Sequence, residues 1–533
     1  MAQDHAGKFL VHLDKPFYVS GEQALYKLFV PSALAVPEAV VQVTLLQNDS
    51  DRIVTQYYHR IKDKPYVSGL YTIPLDAVSG NYTLAFAMSS TDQKKMMTVS
   101  SISLPIISDL NDDVIPVNLS GGGINLPDSE LKTEFQANDN ASANSNYELT
   151  VTDLYGRPVK ADLSISIVSK EMHYGQSGET PVVAQLSESK NLSSPGKKIS
   201  YYGQCLDQQG NPVKNPILAV YSKETQQFSY TKSNAEGYFF LELPDFSGDR
   251  SMQFVRYVDY DSDVTYKLSN DAMAVTSQSK LSSDVLSAYR TESQTLKRVN
   301  QYFDTGFAIQ EQTADKIRHT DEAPTSQFKF SEYRAFNNLG NFFKELLTPL
   351  TYKVDGNGIY SAKLRNPAAQ RNRNFQLSGS PLFIVDGLVT KDANYVARID
   401  FNDVDEVELF CDPTQLDRMY KVMGQSGVVR VTTTLPDYKL SEDVEDDFIY
   451  ISGLKDNVAE VKFAELNNAN HDAPIFRPQL YWNPTLTTDA TGKAVISVPH
   501  SDDSGNYVIT VLARSDREEI GYSTYMFSFG QSE

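Results

Sequence analysis

Apolar and polar residues alternate in short runs along most of this chain, and Gly, Asn, Asp and Pro separate the runs. A period of two marks a half-buried strand, and many short strands between turn residues make β-sandwiches. Ala24 to Val30 reads as one strand and Val40 to Leu46 as another. Ser79-Gly80-Asn81-Tyr82 reads as a turn leading into the strand Thr83 to Ala87. The same four residue types recur at Ser504-Gly505-Asn506-Tyr507, ahead of the strand Val508 to Val511, which points to a repeated domain type. Helical spacing is confined to the middle. Leu281, Val285, Leu286, Tyr289, Leu296, Val299 and Tyr302 predict one or two helices, and Phe342 to Leu347 predicts a short one that Pro349 ends.

With 533 residues the chain exceeds a single core, and about four or five domains are expected. Polar stretches suggest the joints: 108–125 with Gly121-Gly122-Gly123, 185–199, and 436–446. No apolar run approaches the roughly 18 residues of a spanning helix, so no transmembrane helix is expected. The net charge is −20 and no basic stripe is visible, which argues against nucleic acid as a partner. Cys205 and Cys411 are the only cysteines and read as small buried hydrophobes rather than a pair. Met1-Ala2-Gln3-Asp4 reads as a mature N-terminus with an added Met, so an export signal is expected to have been removed.

Asp14-Lys15-Pro16-Phe17-Tyr18 followed by Gly21-Glu22 resembles the opening of a macroglobulin-type domain, a β-sandwich module of the α2-macroglobulin superfamily. Ser20-Gly21-Glu22-Gln23 differs from that superfamily's Cys-Gly-Glu-Gln thioester motif at its first residue. A thioester needs a thiolate, which Ser20 cannot supply, so Gln23 reads as the next residue of a turn. Leu149 to Val159, with Gly156 and Pro158, and then Leu163 to Val168 also resemble a macroglobulin-type hairpin. So do Tyr481-Trp482-Asn483-Pro484, Thr488 to Ala494 and Ser501 to Tyr507, with Trp482 expected in a core or between domains. Tyr202 to Val213 with Thr231 to Phe239 resembles the carboxypeptidase regulatory-like domain, a small non-catalytic sandwich.

Pro381 to Gly387, Ile399 to Leu409, and Tyr420, Gly424 and Gly427 to Thr433 resemble the plug domain of TonB-dependent outer-membrane receptors. Lys421 and Ser426 depart from the family's Gly and Asn. The resemblance marks Asp386, Gly387, Tyr420, Lys421, Gly424, Ser426 and Gly427 as a plug-like interaction motif. A receptor would continue into a barrel of about 22 strands. Ninety-nine residues follow Thr434, so a plug-like domain without its own barrel is expected.

The fold expected is therefore mainly β: tandem Ig-like or macroglobulin-type β-sandwiches with one α+β plug-like domain. The boundaries are 1–108 and 109–198 for two macroglobulin-type sandwiches and 199–275 for the regulatory-like one. The plug-like domain with a helical lead-in takes 276–440, and a last macroglobulin-type sandwich takes 441–533. No catalytic, cofactor or metal residues emerge. Asp259, Asp261 and Asp263 suggest a Ca²⁺ loop, but Val264 and Asn270 stand where an EF-hand needs Gly and Glu. Asp109, Asp112 and Asp113 likewise read as solvated acids. The seven histidines lack zinc spacing, and GxSxG is absent, although Gly175 to Gly178 and Gly424 to Gly427 both read GQSG. The resemblances imply a non-enzymatic, extracytoplasmic Gram-negative protein, periplasmic or associated with the outer membrane. It would dock with or gate an outer-membrane β-barrel supplied in trans, or act as a transport or secretion accessory. The alternative is a free-standing ligand-binding or adhesion protein. A trap or an enzyme ranks last.

Overall fold

A computed structural model describes residues 9–50, 52–110, 120–121, 129–138, 144–170, 183–186, 192, 194–207, 209–214, 217–256, 265–268, 279–280, 283–303, 323–333, 336–367, 377, 379–434, 448–461, 478–499, 501 and 505–528. The described chain is mainly β, with 33 strands against four α-helices. It divides into two compact units. One comprises Met1–Ile199, Asn270–Thr313 and Leu454–Glu533, and the other Ser200–Ser269 and Ala314–Gly453.

In the first unit, the strands Phe9–Leu13, Gln23–Phe29 and Tyr66–Thr72 form one sheet. Val40–Gln47, Arg52–Arg60, Gly80–Ser90 and Lys95–Ile107 form the sheet that faces it. Phe9, Val11, Tyr26, Val43 and Phe86 meet in the core between them. Phe9–Leu13 is buried on both faces. The outward face of this sheet is covered by a second sandwich: His12 Nδ1 lies 2.7 Å from Ser164 Oγ, and Lys27 Nζ of Gln23–Phe29 donates to the Leu163 carbonyl at 3.0 Å. Trp482 packs with Leu25 and Val461 and its ring lies 5.2 Å from that of His12. Stacking sheets in this way buries the polar face of an alternating strand, and each polar group then needs a partner.

That second sandwich differs from the sequence expectation of separate domains at 109–198 and 441–533. Ala161–Ser169 pairs on one side with Gln479–Asn483 and on the other with Asn506–Ser515. Asn144–Asp153 pairs with Lys493–Pro499. Leu149, Ile165, Ile496 and Tyr507 share its core. The two segments build one sandwich because each supplies only part of a two-sheet core. Alternation shows that a strand has a buried face but not which strand it pairs with. The stretch expected as a linker at 185–199 also takes part: Val183–Leu186 pairs with Phe9–Leu13, and Gly196 N donates to the Ser89 carbonyl at 2.8 Å. The stretch at 436–446 lies outside the described residues. Helix α1 (Ser283–Phe303) belongs to this unit.

The second unit holds a third sandwich and an α+β domain. Ile199–Leu206, Tyr238–Leu243 and Thr265–Leu268 make one sheet. Ile217–Ser222, Gln227–Lys232, Asp249–Arg256 and Phe448–Ser452 make the other. The last strand comes from the segment expected to open a C-terminal sandwich. The α+β domain is a five-stranded mixed sheet in the order Ser326–Lys329, Val404–Phe410, Val428–Thr433, Leu382–Val385 and Leu388–Thr390. Helices α2 (Leu339–Leu346), α3 (Ala393–Arg398) and α4 (Pro413–Met419) accompany it. Each has an N-cap side chain, Asn338, Asp392 or Asp412, that accepts from a first-turn N–H.

One turn recurs across both units. Asp153, Asp207, Asn234, Asp355 and Asp489 each precede a glycine by three residues. In every case the side-chain oxygen accepts the N–H groups two and four residues on. The glycine takes φ between +74° and +80°, a region other residues enter at a cost.

Candidate interaction site

The seven motif residues lie on two turns of the mixed sheet. Asp386 and Gly387 are the two central residues of the hairpin joining Leu382–Val385 to Leu388–Thr390, with φ of 47° and 82°. Both angles positive is the signature of a tight hairpin turn, for which Asp-Gly is a favoured pair. Asp386 does more than turn. Its carboxylate accepts from Thr433 N at 2.9 Å and Thr433 Oγ1 at 2.6 Å, so it ties the hairpin to the end of the central strand.

The second turn runs from α4 into Val428–Thr433. Tyr420 is fully buried and caps α4 by donating its N–H to the Leu416 carbonyl. Lys421 is exposed and has φ of 45°, the left-handed conformation that a glycine takes without strain. Gly424 is buried, and a Cβ there would lie 2.8 Å from the Tyr420 Cβ. Gly427 has φ of 87°, and a Cβ there would lie 2.4 Å from Leu364. Ser426 is half-buried, beside Gly379. Of the seven, only Lys421 is exposed.

The third sandwich of the same unit covers these turns. Tyr230 OH donates to the Tyr420 carbonyl at 2.7 Å, and Lys223 lies along Gly387. Gln253 is buried and exchanges both amide bonds with the backbone of Val389, at 2.9 and 2.8 Å. Arg430 pairs with Glu408 and donates to Gln226 at 2.8 Å. Ala219, Tyr221 and Phe228 share one hydrophobic cluster with Phe383 and Tyr420. Sequence reasoning missed Tyr230, Gln253 and Arg430. Their partners are 190, 136 and 204 residues away, beyond the reach of any local pattern.

The other candidates resolve into structural roles. Ser20 is buried, and its Oγ accepts from Asp109 N at 2.8 Å. Asp109, read as a solvated acid, instead pairs with Lys297 at 3.0 Å. Asp112, Asp113, Asp259, Asp261 and Asp263 lie outside the described residues, as do Gly175 to Gly178. His12 and His59 are buried, and burial lowers both imidazoles to about 3. His59 contacts Tyr26 OH at 2.6 Å and the Lys455 carbonyl at 3.0 Å. The other five histidines lie outside the described residues. Cys205 and Cys411 are free and buried, and burial raises their thiols to about 12 and about 11. Thiols so placed stay protonated and unreactive at neutral pH. Among the described residues no group of three or more His, Cys, Asp or Glu could hold a metal ion, and no helix is long and apolar enough to cross a membrane.

No family model matches the chain, and no curated protein does. Among solved structures it is similar to α2-macroglobulin of Salmonella reacted with methylamine, at 8% identity and a TM-score of 0.24. The native conformation of Escherichia coli α2-macroglobulin gives the same identity and TM-score, and the trypsin-activated form gives 8% and 0.23. In each case 98% of this chain is covered, and it spans 39–41% of the length of the other protein. A likeness at these TM-scores assigns neither an activity nor a partner to this chain.

Proposed function

We propose that this chain is a non-enzymatic protein of a Gram-negative cell envelope, working outside the cytoplasm through protein–protein contact. Its α+β domain is plug-like and docks with or gates an outer-membrane β-barrel supplied by another chain, as a transport or secretion accessory. The sandwich resembling the regulatory-like domain supports the plug-like one from behind. The observation that carries the reading is the pairing of the Pro381–Gly387 and Gly427–Thr433 stretches. Leu382–Val385 and Val428–Thr433 run parallel and adjacent, with the motif turns beside them. The residues after Thr434 that are described pair into sandwiches rather than a barrel of their own.

One observation favours the second reading, a free-standing ligand-binding or adhesion protein. The chain's own third sandwich already covers the Asp386-Gly387 and Tyr420 turns, leaving Lys421 as the exposed motif residue. Affinity purification from gently solubilised native membranes, with mass spectrometry of what co-purifies, separates the two. A stoichiometric outer-membrane barrel, reduced by Lys421→Glu, is the expected result. Recovery of the protein alone overturns the docking reading in favour of the second.

A further inference from the structure

Helix α1 sits on the first sandwich through one stripe of its surface. Leu286, Tyr289 and Ser293 are buried, at spacings of three and four residues. Leu286 and Tyr289 join Phe17, Val19, Ile107 and Val168 in a small apolar cluster, with the Tyr289 ring edge-on to Phe17 at 5.0 Å. The rest of the contact is polar. Tyr289 OH and Ser293 Oγ donate to Glu22 Oε1 at 2.8 and 2.6 Å. Arg290 and Gln294 donate to the Asp109 carbonyl at 3.2 and 3.1 Å. Lys297 Nζ donates to the Ser20 carbonyl at 2.5 Å and to Asp109 Oδ2 at 3.0 Å.

The receiving surface is built without the helix. Glu22 Oε2 is held by Lys15 Nζ at 2.7 Å and Val19 N at 3.2 Å, which leaves Oε1 for the helix. Val19 and Ile107 are fixed by strand pairing with each other, and Asp14 ties the start of the loop by accepting from Leu25 N at 2.8 Å. Among the described side chains of this 21-residue helix, the deeply buried apolar ones are Leu286 and Tyr289, a shallow anchor. Such an element belongs to the low-stability end of a fold, where opening occurs without global unfolding.

We propose that α1 is a releasable clasp, docked in a preformed groove through Glu22 and Asp109 and able to leave while the first sandwich stays folded. Asp109 accepts from Arg290, Gln294 and Lys297, while Glu22 accepts from Tyr289 and Ser293 and acts as a positioning residue for the helix. The helix lies in sequence between the two stretches that form the second unit, 200–269 and 314–453.

Hydrogen exchange on the full chain, read by mass spectrometry, tests this. Amides of 286–299 are expected to exchange on the order of a hundredfold faster than those of Gly80–Ser90, by local opening. Glu22→Gln should speed exchange in the helix by roughly tenfold and leave Gly80–Ser90 unchanged, because the bonds from Tyr289 and Ser293 lose their charge assistance. Ser293→Ala provides the same test from the helix side if the Glu22 variant fails to fold. Alanine favours helix, so faster exchange there reports lost docking rather than lost helicity. Helix amides as slow as the strand, or variants that accelerate both equally, would overturn the clasp.

Discussion

Lys421 stands at φ 45°, a left-handed conformation that glycine takes without strain. Lys421→Gly is expected to raise stability by about 0.5–1 kcal/mol, since left-handed strain is relieved and only part is returned as chain entropy. Gly427→Ala runs the other way. It forces a Cβ to within 2.4 Å of Leu364 at φ 87°, so a loss of about 2–4 kcal/mol is expected. Thermal unfolding of the two variants measures both. The buried histidines set a pH dependence. His59 is held neutral to about 3 by burial, against 6.5 when unfolded, so the unfolded chain binds the extra proton. Stability should then fall by about 1.4 kcal/mol per pH unit for each such histidine as pH drops below 6.5. Asp14, raised to about 6 by burial, acts oppositely between its unfolded value of 3.8 and 6. A His59→Gln variant should flatten the acid limb of a stability–pH curve; an unchanged limb would mean the ring is already protonated in the fold.

Among the elements, the Asp/Asn-x-x-Gly turn is encoded locally, although its recurrence emerged only with the structure. Its residues state the turn chemistry locally, as Asp153 and Gly156 show. The surroundings of its glycines were not legible. At Gly156 a Cβ would meet nothing within 4 Å, while at Gly492 it would lie 2.5 Å from the Val151 carbonyl. Gly156→Ala should therefore cost about 1 kcal/mol from backbone strain alone, and Gly492→Ala roughly 2–4 kcal/mol. Equal losses would show that conformation alone decides. Helix α1 was also legible from its spacing, expected from Leu281 to Tyr302 and found at Ser283–Phe303. Its partners Glu22 and Asp109 were not, because a charged side chain in a turn reads as solvated until a distant segment covers it. Lys27 makes the same point within a strand: a charged side chain, it is buried by a second sandwich.

At the scale of the molecule, mainly-β content was readable, but which strands share a sheet was not. Ala161–Ser169 has both neighbours from residues 479–515. Pairings so remote in sequence form late and slowly. A chain stopped at Thr434 should lose exchange protection over 144–169 while Gly80–Ser90 keeps it; retained protection over 144–169 would contradict the shared sandwich. The candidate site shows the same division. The motif picks out Asp386, Gly387, Tyr420 and Gly427 as candidates, whereas nothing local in the sequence points to the sandwich that covers them. The docking proposal is tested most directly by lysine cross-linking in intact cells, followed by mass spectrometry. Lys421 and the exposed Lys353 and Lys363 of the same domain are predicted to link to an outer-membrane β-barrel protein. Links confined to this chain would contradict the account.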